Sequence, residues 1–281
     1  MQFQKFQAVG NDFLIVREAD LPGNFEVEEL ARTVCERHRG PGADGLEVLL
    51  TDHTAADFAI RIFNADGGET PISGNGTRCI AAYLYFNDLW DAPVVRVKTG
   101  AGIKTLWLRE RSARRFVFET DMGVPQLSSA QIPIQLPEPL ETVVRQRLQV
   151  GDVDLEFTSS SMGNPHCSLI VNDLETTDWR ALGSMIETHP AFPLRTNVEF
   201  IQVIDPERIA VRFWERGVGP TLSSGTGSCA AAIAAILNEK TSRRVTVGTE
   251  GGELLVEWRE DGHIFQTGEV HAVYRGELLH Y

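Results

Sequence analysis

Ser73-Gly74-Asn75-Gly76-Thr77 recurs as Ser224-Gly225-Thr226-Gly227-Ser228, so that Ser224 follows Ser73 by 151 residues. Each copy closes a turn and leads into an apolar, alanine-bearing stretch, which is the pattern of a capped helix with glycines in its first turn. Sliding the chain against itself by the same interval brings Ala59-Ile60-Arg61-Ile62 over Ala210-Val211-Arg212-Phe213, Gly68 over Gly219, Thr70 over Thr221 and Ala81 over Ala232. One shared motif is within chance; a set of matches in one frame is a duplication. The chain therefore reads as two similar halves, residues 1–125 and 126–281, with the C-terminal tail expected to pair back onto the N-terminal half.

Working outward from the motif, the turn Val9-Gly10-Asn11-Asp12 separates expected strands at 3–6 and 13–16, and Met162-Gly163-Asn164-Pro165 leads in the same way into a strand at 167–171. Apolar residues at helical spacing predict amphipathic helices over 27–37 and 179–186. Strands follow at 46–50 and 198–203, then at 59–63 and 210–214, and both of the latter end at the loops that carry the motif. The helices after it, over 80–86 and 230–237, are apolar all round and are expected at the centre of their domains. Strands at 94–98, 103–108 and 116–119 answer strands at 245–248, 254–258 and 264–267. A Pro- and Ser-bearing stretch at 124–139 reads as the linker. The fold class is α+β, a chain of two similar halves whose equivalent loops are expected to face one ligand from opposite sides.

Composition narrows the function. With 281 residues, 42% of them hydrophobic, the chain can bury a substantial core, and a formal net charge of −13 without a basic run argues against nucleic acid as a partner. No apolar run reaches the ~20 residues of a membrane helix, and the N-terminus lacks a signal-peptide layout, so no membrane partner and a cytoplasmic location are expected. Cys35, Cys79, Cys167 and Cys229 are far apart with no C-x-x-C pair, which gives neither a zinc site nor a disulfide framework. A small polar ligand, with no metal and no cofactor, is the expectation.

Two equivalent loops addressing one ligand suit a reaction with two mirror faces. In racemisation or epimerisation at a carbon, one base removes a proton from one face while a conjugate acid delivers another to the opposite face. A Gly-x-Gly at a helix start presents backbone N–H groups and the positive end of the helix dipole to a carboxylate, and it also stabilises charge that develops as the Cα proton leaves. Taken alone, Ser73 or Ser224 is an ordinary N-cap, Asn11 or Asn164 an ordinary turn former and His166 a semi-buried structural histidine. The pairing is what turns each of them toward a ligand.

Asn11-Asp12-Phe13, Gly42-Ala43-Asp44-Gly45, Phe63-Asn64-Ala65-Asp66-Gly67, Gly74-Asn75-Gly76-x-Arg78-Cys79, Met162-Gly163-Asn164-Pro165-His166-Cys167, Asn197-Val198 and Glu215-Arg216-Gly217-x-Gly219 together resemble the diaminopimelate epimerase family, in order and over essentially the whole chain. The resemblance implies an α+β fold of two pseudo-symmetric domains, each a β-sheet wrapped around a central helix, with the active site in the cleft between them; it also implies epimerisation of LL- and meso-diaminopimelate without pyridoxal phosphate, in lysine and peptidoglycan precursor synthesis, by a homodimer. It further implies that Asn64, Asn164, Asn197 and Arg216 hold the distal end of the amino acid. Asn11 and Glu215 would contact the reacting end, whose carboxylate would sit on the backbone N–H groups of Gly74, Asn75, Gly225 and Thr226. His166 and Glu215 would poise the two catalytic side chains.

Those two side chains are cysteines in the family, and the matching positions here are Ser73 and Ser224. A thiol, with a reference pKa of about 8.5, trades proton and thiolate near neutrality, whereas a hydroxyl resembles bulk water at about 15.7 and is a far harder base to generate. Pro220 and Gly45 are smaller departures. Cys79 and Cys229 lie well up the following helices, on faces that do not turn readily toward the motif. Three readings stay open: an epimerase working through paired serines, a protein made inactive by a double Cys-to-Ser change that still binds an amino acid, and a non-catalytic relative that keeps the ligand clamp.

Overall fold

The computed structural model describes residues 1–21, 26–51 and 55–279. It divides into two compact units, one built from Met1–Thr120 together with the segment from Thr267 on, the other from Asp121–Gln266. The first contains β1 (Gln2–Ala8), β2 (Asn11–Arg17), α1 (Val27–Cys35), β3 (Gly45–Leu49), β4 (Phe58–Asn64), β5 (Glu69–Thr70), α2 (Gly74–Phe86), β6 (Val94–Thr99), β7 (Gly102–Arg111) and most of β8 (Arg115–Gly123). The second contains β9 (Gln146–Val150), β10 (Val153–Ser161), β11 (Pro165–Val171), α3 (Trp179–Glu187), β12 (Asn197–Asp205), β13 (Arg208–Glu215), β14 (Gly219–Thr221), α4 (Gly225–Leu237), β15 (Arg244–Thr249), β16 (Gly252–Trp258) and the start of β17 (Ile264–Glu277).

The duplication extends to the strand pairings. In the first unit β1–β2 is antiparallel, β2–β3 parallel, β3–β4 antiparallel, β4–β6 parallel and β6–β7 antiparallel. In the second, β10–β11, β11–β12, β12–β13, β13–β15 and β15–β16 repeat that sequence of senses. The parallel pairs are joined by crossovers that contain α1 or α3 and, one step later, α2 or α4, so each unit is two crossover layers on one curved sheet.

Why the central helices bury all round is legible in their ends and their composition. Ser73 and Ser224 are extended N-caps, and their side chains accept from Gly76 N–H and Gly227 N–H, at 3.1 and 3.3 Å. At the other end Asn87 and Asn238 each fold back to donate from Nδ2 to the carbonyl four residues earlier, Tyr83 and Ala234, at 2.8 Å in both. Capped by serine at one end and closed by asparagine at the other, α2 packs with Phe6, Ile60, Ile62, Val95, Leu106 and Phe118, and α4 with Ile201, Val211, Phe213, Val245 and Val256. The amphipathic α1 and α3 cover the other faces: α1 buries Leu30, Ala31 and Val34 against Leu46 and Val48, and α3 buries Trp179 and Ile186 with Leu169 and Phe200.

Three differences from the sequence reading have physical causes. The apolar helical stretches expected at 80–86 and 230–237 extend back to the first glycine of the motif, six and five residues earlier, because the serine cap holds Gly-x-Gly in the first turn, as the motif itself reads. The helix expected to reach residue 37 ends at Cys35, where Gly42 N–H and Ala43 N–H take the Val34 and Cys35 carbonyls and turn the chain away. The stretch 124–139 carries Ile132 and Ile134 into the α3 core, and Gln126 bridges to Ser161, so much of it is packed structure.

Candidate functional site

In the first unit the motif meets the Gly10 turn. Gly10 has φ +83°, which a residue with a Cβ rarely adopts, and it reverses the chain so that Asn11 opens β2. Asn11 is then fixed from two sides, donating from Nδ2 to Asp44 Oδ2 at 2.7 Å and accepting from Asn75 Nδ2 at 3.2 Å. Beneath it Asp12 takes Lys5 Nζ at 2.7 Å and both Arg37 nitrogens at 3.0 and 2.8 Å. Burial works against ionisation there, but the Arg37 and Lys5 bonds outweigh it and hold the Asp12 carboxyl down to about 2. Sequence reading quoted Asp12 and Asp44 only inside longer motifs, without roles, and passed over Lys5 and Arg37.

Ser73 caps α2 beside this turn, and a Cβ built on Gly74 would meet nothing within 4 Å. Gly74 is thus not demanded by internal packing, while by the geometry of a helix start its N–H and that of Asn75 have no intrahelical acceptor. This is a helix terminus suited to an anion. Asn64 stands apart: it is exposed at the end of β4, opposite Gly45 in register, and only its backbone enters the turn, through Gly68 O and Gly67 N.

The second unit draws more of the expected residues into one network. His166, on β11, is fully buried; its Nδ1 lies 2.6 Å from Glu199 Oε1 and its Nε2 3.0 Å from Asn164 Oδ1. Asn164 Nδ2 reaches Thr226 Oγ1 at 3.4 Å, tying the Gly163 turn to the first turn of α4. Asn197, at the start of β12, donates to Pro165 O at 2.9 Å and accepts from Arg216 N–H at 3.0 Å. Glu215, the last residue of β13, accepts from Thr221 Oγ1 at 2.7 Å and also interacts with the Ser224 hydroxyl; burial raises its carboxyl above the ordinary value while the Thr221 bond pulls the other way. Arg216 is exposed, with Nη1 on Leu194 O at 3.1 Å.

Glu187, at the end of α3, holds the loop that presents Glu215 and Arg216, accepting from Gly217 N–H at 2.8 Å and Trp214 Nε1 at 2.7 Å. Sequence reading gave Glu187 no role. Thr221 was noted as a repeat of Thr70 without a role. Glu199 was missed altogether, because an acidic residue in a strand reads as one that faces solvent. Chemically, each unit offers a hydroxyl at a helix N-terminus, flanked by amide side chains and, in the second unit, in contact with a carboxyl of raised proton affinity.

The architecture, two duplicated α+β units with a buried central helix each, is that of a class of solved structures. These include a PhzF-family phenazine biosynthesis protein of Bacillus anthracis, with a TM-score of 0.71 at 18% identity, covering 100% of this chain and 99% of that one. A hydroxyproline epimerase of Agrobacterium vitis gives 0.70 at 15%, over 99% of this chain and 90% of that one. Sequence then places the chain within the class. The family model described as "Diaminopimelate epimerase" matches residues 3–128 and 158–273. The diaminopimelate epimerase of Pelotomaculum thermopropionicum is 45% identical over 99% of this chain and 98% of its own length, and that of Synechococcus elongatus 40% over the same shares. The chain belongs to the diaminopimelate epimerase family.

Proposed function

We propose that this chain is an isomerase that interconverts LL- and meso-diaminopimelate by exchanging the proton at one Cα, without pyridoxal phosphate, in the supply of lysine and peptidoglycan precursors. The observation that carries the reading is the twice-built helix N-terminus with a serine hydroxyl at its cap, in a chain that matches diaminopimelate epimerases over nearly its full length. Ser73 and Ser224 take the two acid/base roles. The backbone N–H groups of Gly74, Asn75, Gly225 and Thr226 receive the α-carboxylate, where two helix dipoles oppose the charge that develops when the proton leaves.

Glu215 serves Ser224 directly: a hydroxyl is too weak an acid to hold a proton equilibrium near neutrality, and a carboxyl of raised affinity beside it can take up or return the proton. His166 holds Asn164 in place from its anchor on Glu199. Asn11 contacts the reacting end, and Asn64, Asn164, Asn197 and Arg216 the distal end, with Arg216 supplying a charge-assisted bond to the remote carboxylate. A cytoplasmic homodimer completes the reading, and sedimentation equilibrium tests the dimer.

The test of the activity is incorporation of solvent deuterium at Cα from D2O, with LL- and meso-diaminopimelate supplied separately and the diastereomer ratio followed. Deuterium in both diastereomers is the expected result. Calorimetric binding without any exchange leaves an amino-acid binding protein and ends the epimerase reading.

A further inference from the structure

Among the described residues of the first unit Glu47 is the one fully buried carboxyl, and both of its oxygens lack a hydrogen-bond partner. It lies on β3, paired in register with Ile15 of β2 on one side and Ile62 of β4 on the other. Alternation along β3 sends Leu46 and Val48 into the α1 core, so Glu47 points to the α2 face with Gly45 and Leu49. Its carboxyl abuts the first turn of α2. A Cβ added to Gly76 would collide with Glu47 Oε1, and the same point lies 3.2 Å from Ser73 Cβ and 3.3 Å from Phe13 Cζ. Gly76 is therefore glycine because Glu47 and Ser73 converge on the space a side chain would fill.

Ser73 has a matching need. Its Oγ accepts from Gly76 N–H, and its own proton has no acceptor among the described residues. His166, the other ionisable group expected to poise a catalytic side chain, has both ring nitrogens engaged inside its own unit, on Glu199 and Asn164. Cys79 of α2 feels the Glu47 carboxyl, and Arg78 of α2 and Asp12 of β2 act on the same thiol, while on β4 Arg61 alternates to the opposite face and pairs with Glu69. Burial pushes the Glu47 carboxyl and the Cys79 thiol each well above its usual range, and Glu47 itself adds to the rise at Cys79.

We infer that Glu47 is the proton-holding partner of Ser73, a positioning residue that makes the serine hydroxyl usable as an acid and a base at the N-terminus of α2. The inference rests on the epimerase reading. When the Ser73 side removes the substrate proton, the Cα–H bond breaks and its electron pair stays on carbon, drawn toward the α-carboxylate. The proton passes to Ser73 Oγ as the Ser73 O–H proton passes to the Glu47 carboxylate. In the reverse direction Glu47 returns its proton to Ser73 Oγ as Ser73 protonates Cα. No free alkoxide forms in either direction. The first unit thereby gains what Glu215 gives Ser224 in the second.

A two-by-two set of variants separates this from a structural role, with deuterium incorporation at Cα as the readout. Glu47→Gln in the unmodified chain is expected to lower incorporation by at least ~100-fold, the scale of a lost acid/base partner. A thiol at position 73 is its own base, so Ser73→Cys combined with Glu47→Gln is expected to stay within about threefold of Ser73→Cys alone, which also certifies that the pair folds. The rate of the unmodified chain should in addition show a pH limb that Glu47→Gln lacks. An equal loss in both backgrounds, a double variant as slow as Glu47→Gln, or undiminished exchange in Glu47→Gln each overturns the inference while the epimerase reading stands. No exchange by the unmodified chain overturns the epimerase reading, and the relay falls with it.

Discussion

In the first unit a glutamate on the third strand lies between two isoleucines, Ile15 and Ile62, with no hydrogen bond to either carboxyl oxygen. In the second, the glutamate at the equivalent place lies between Ser168 and Phe213; it accepts from Ser168 Oγ at 2.9 Å and holds His166 at 2.6 Å. The glycine in the helix turn above mirrors the change, since a Cβ on Gly227 would meet the Phe213 ring at 2.9 Å, where one on Gly76 would meet Glu47 itself. The same backbone thus carries a sealed polar network in one copy and a solitary acid in the other. A fold that tolerates an unpartnered buried carboxyl, at about 1–3 kcal/mol, gives up stability in the one place where a mobile proton is useful.

Four experiments set the two copies against each other. The largest effect is on activity: Ser73→Ala and Ser224→Ala should each lower Cα deuterium incorporation by ~10³-fold, since each hydroxyl serves one face. If either variant keeps its exchange rate, the two units are not equivalent in the chemistry. Next comes Glu199→Leu, which orphans His166 and Ser168 and should reduce urea-unfolding stability by about 2–4 kcal/mol.

The same change in the first unit should have the opposite sign. Glu47→Leu is expected to raise stability by about 1–2 kcal/mol at pH 7, because it removes an unpartnered polar group and leaves an apolar side chain among isoleucines. The pH dependence identifies the cause. Above the ordinary glutamate value the unfolded chain releases this proton while the folded chain keeps it, so the folded state binds more protons and loses stability as pH rises. The gain from Glu47→Leu should therefore shrink toward pH 4. A gain that is flat with pH would mean that packing, not proton affinity, sets it.

Asp12 supplies the smallest effect and the contrary slope. Its folded-state value of about 2 lies below the ordinary 3.8, so the folded chain binds fewer protons through that window, and stability is present above it and lost on acidification. Discounted for solvent screening, Asp12→Asn should lose about 1 kcal/mol at pH 7 and only a small fraction of that at pH 2. A constant loss at both pH values would assign the effect to hydrogen-bond geometry.

The large features of the fold were legible because duplication writes them twice. One offset aligned the strands that became β4 and β13 and the helices α2 and α4, and the pairing senses repeat accordingly. What escaped lay off that offset. β9 and β10 were not anticipated: β10 ends in Thr158-Ser159-Ser160-Ser161, without apolar alternation, and its serines are buried through bonds such as Ser159 Oγ to His166 O that no periodicity announces. Glu47 and Glu199 recur one residue out of the 151 frame, at positions where a strand glutamate ordinarily faces water. A search for acidic residues repeated near that frame would have found them. The amide and arginine residues of the site were readable as types in turns, but whether they gather depended on side-chain bonds. Asn164, Asn197 and Glu215 do gather, and Asn64 stays on the surface.

One feature of the chain's path bears on synthesis rather than catalysis. The first unit takes β1 from the start of the chain and its neighbour β17 from the far end, with Phe3 opposite Gly276, whereas the second unit is a single continuous run. A ribosome therefore releases everything the second unit needs before it has finished the first. The later-encoded unit can close while the edge of β1 still waits, exposed, for its last strand to emerge.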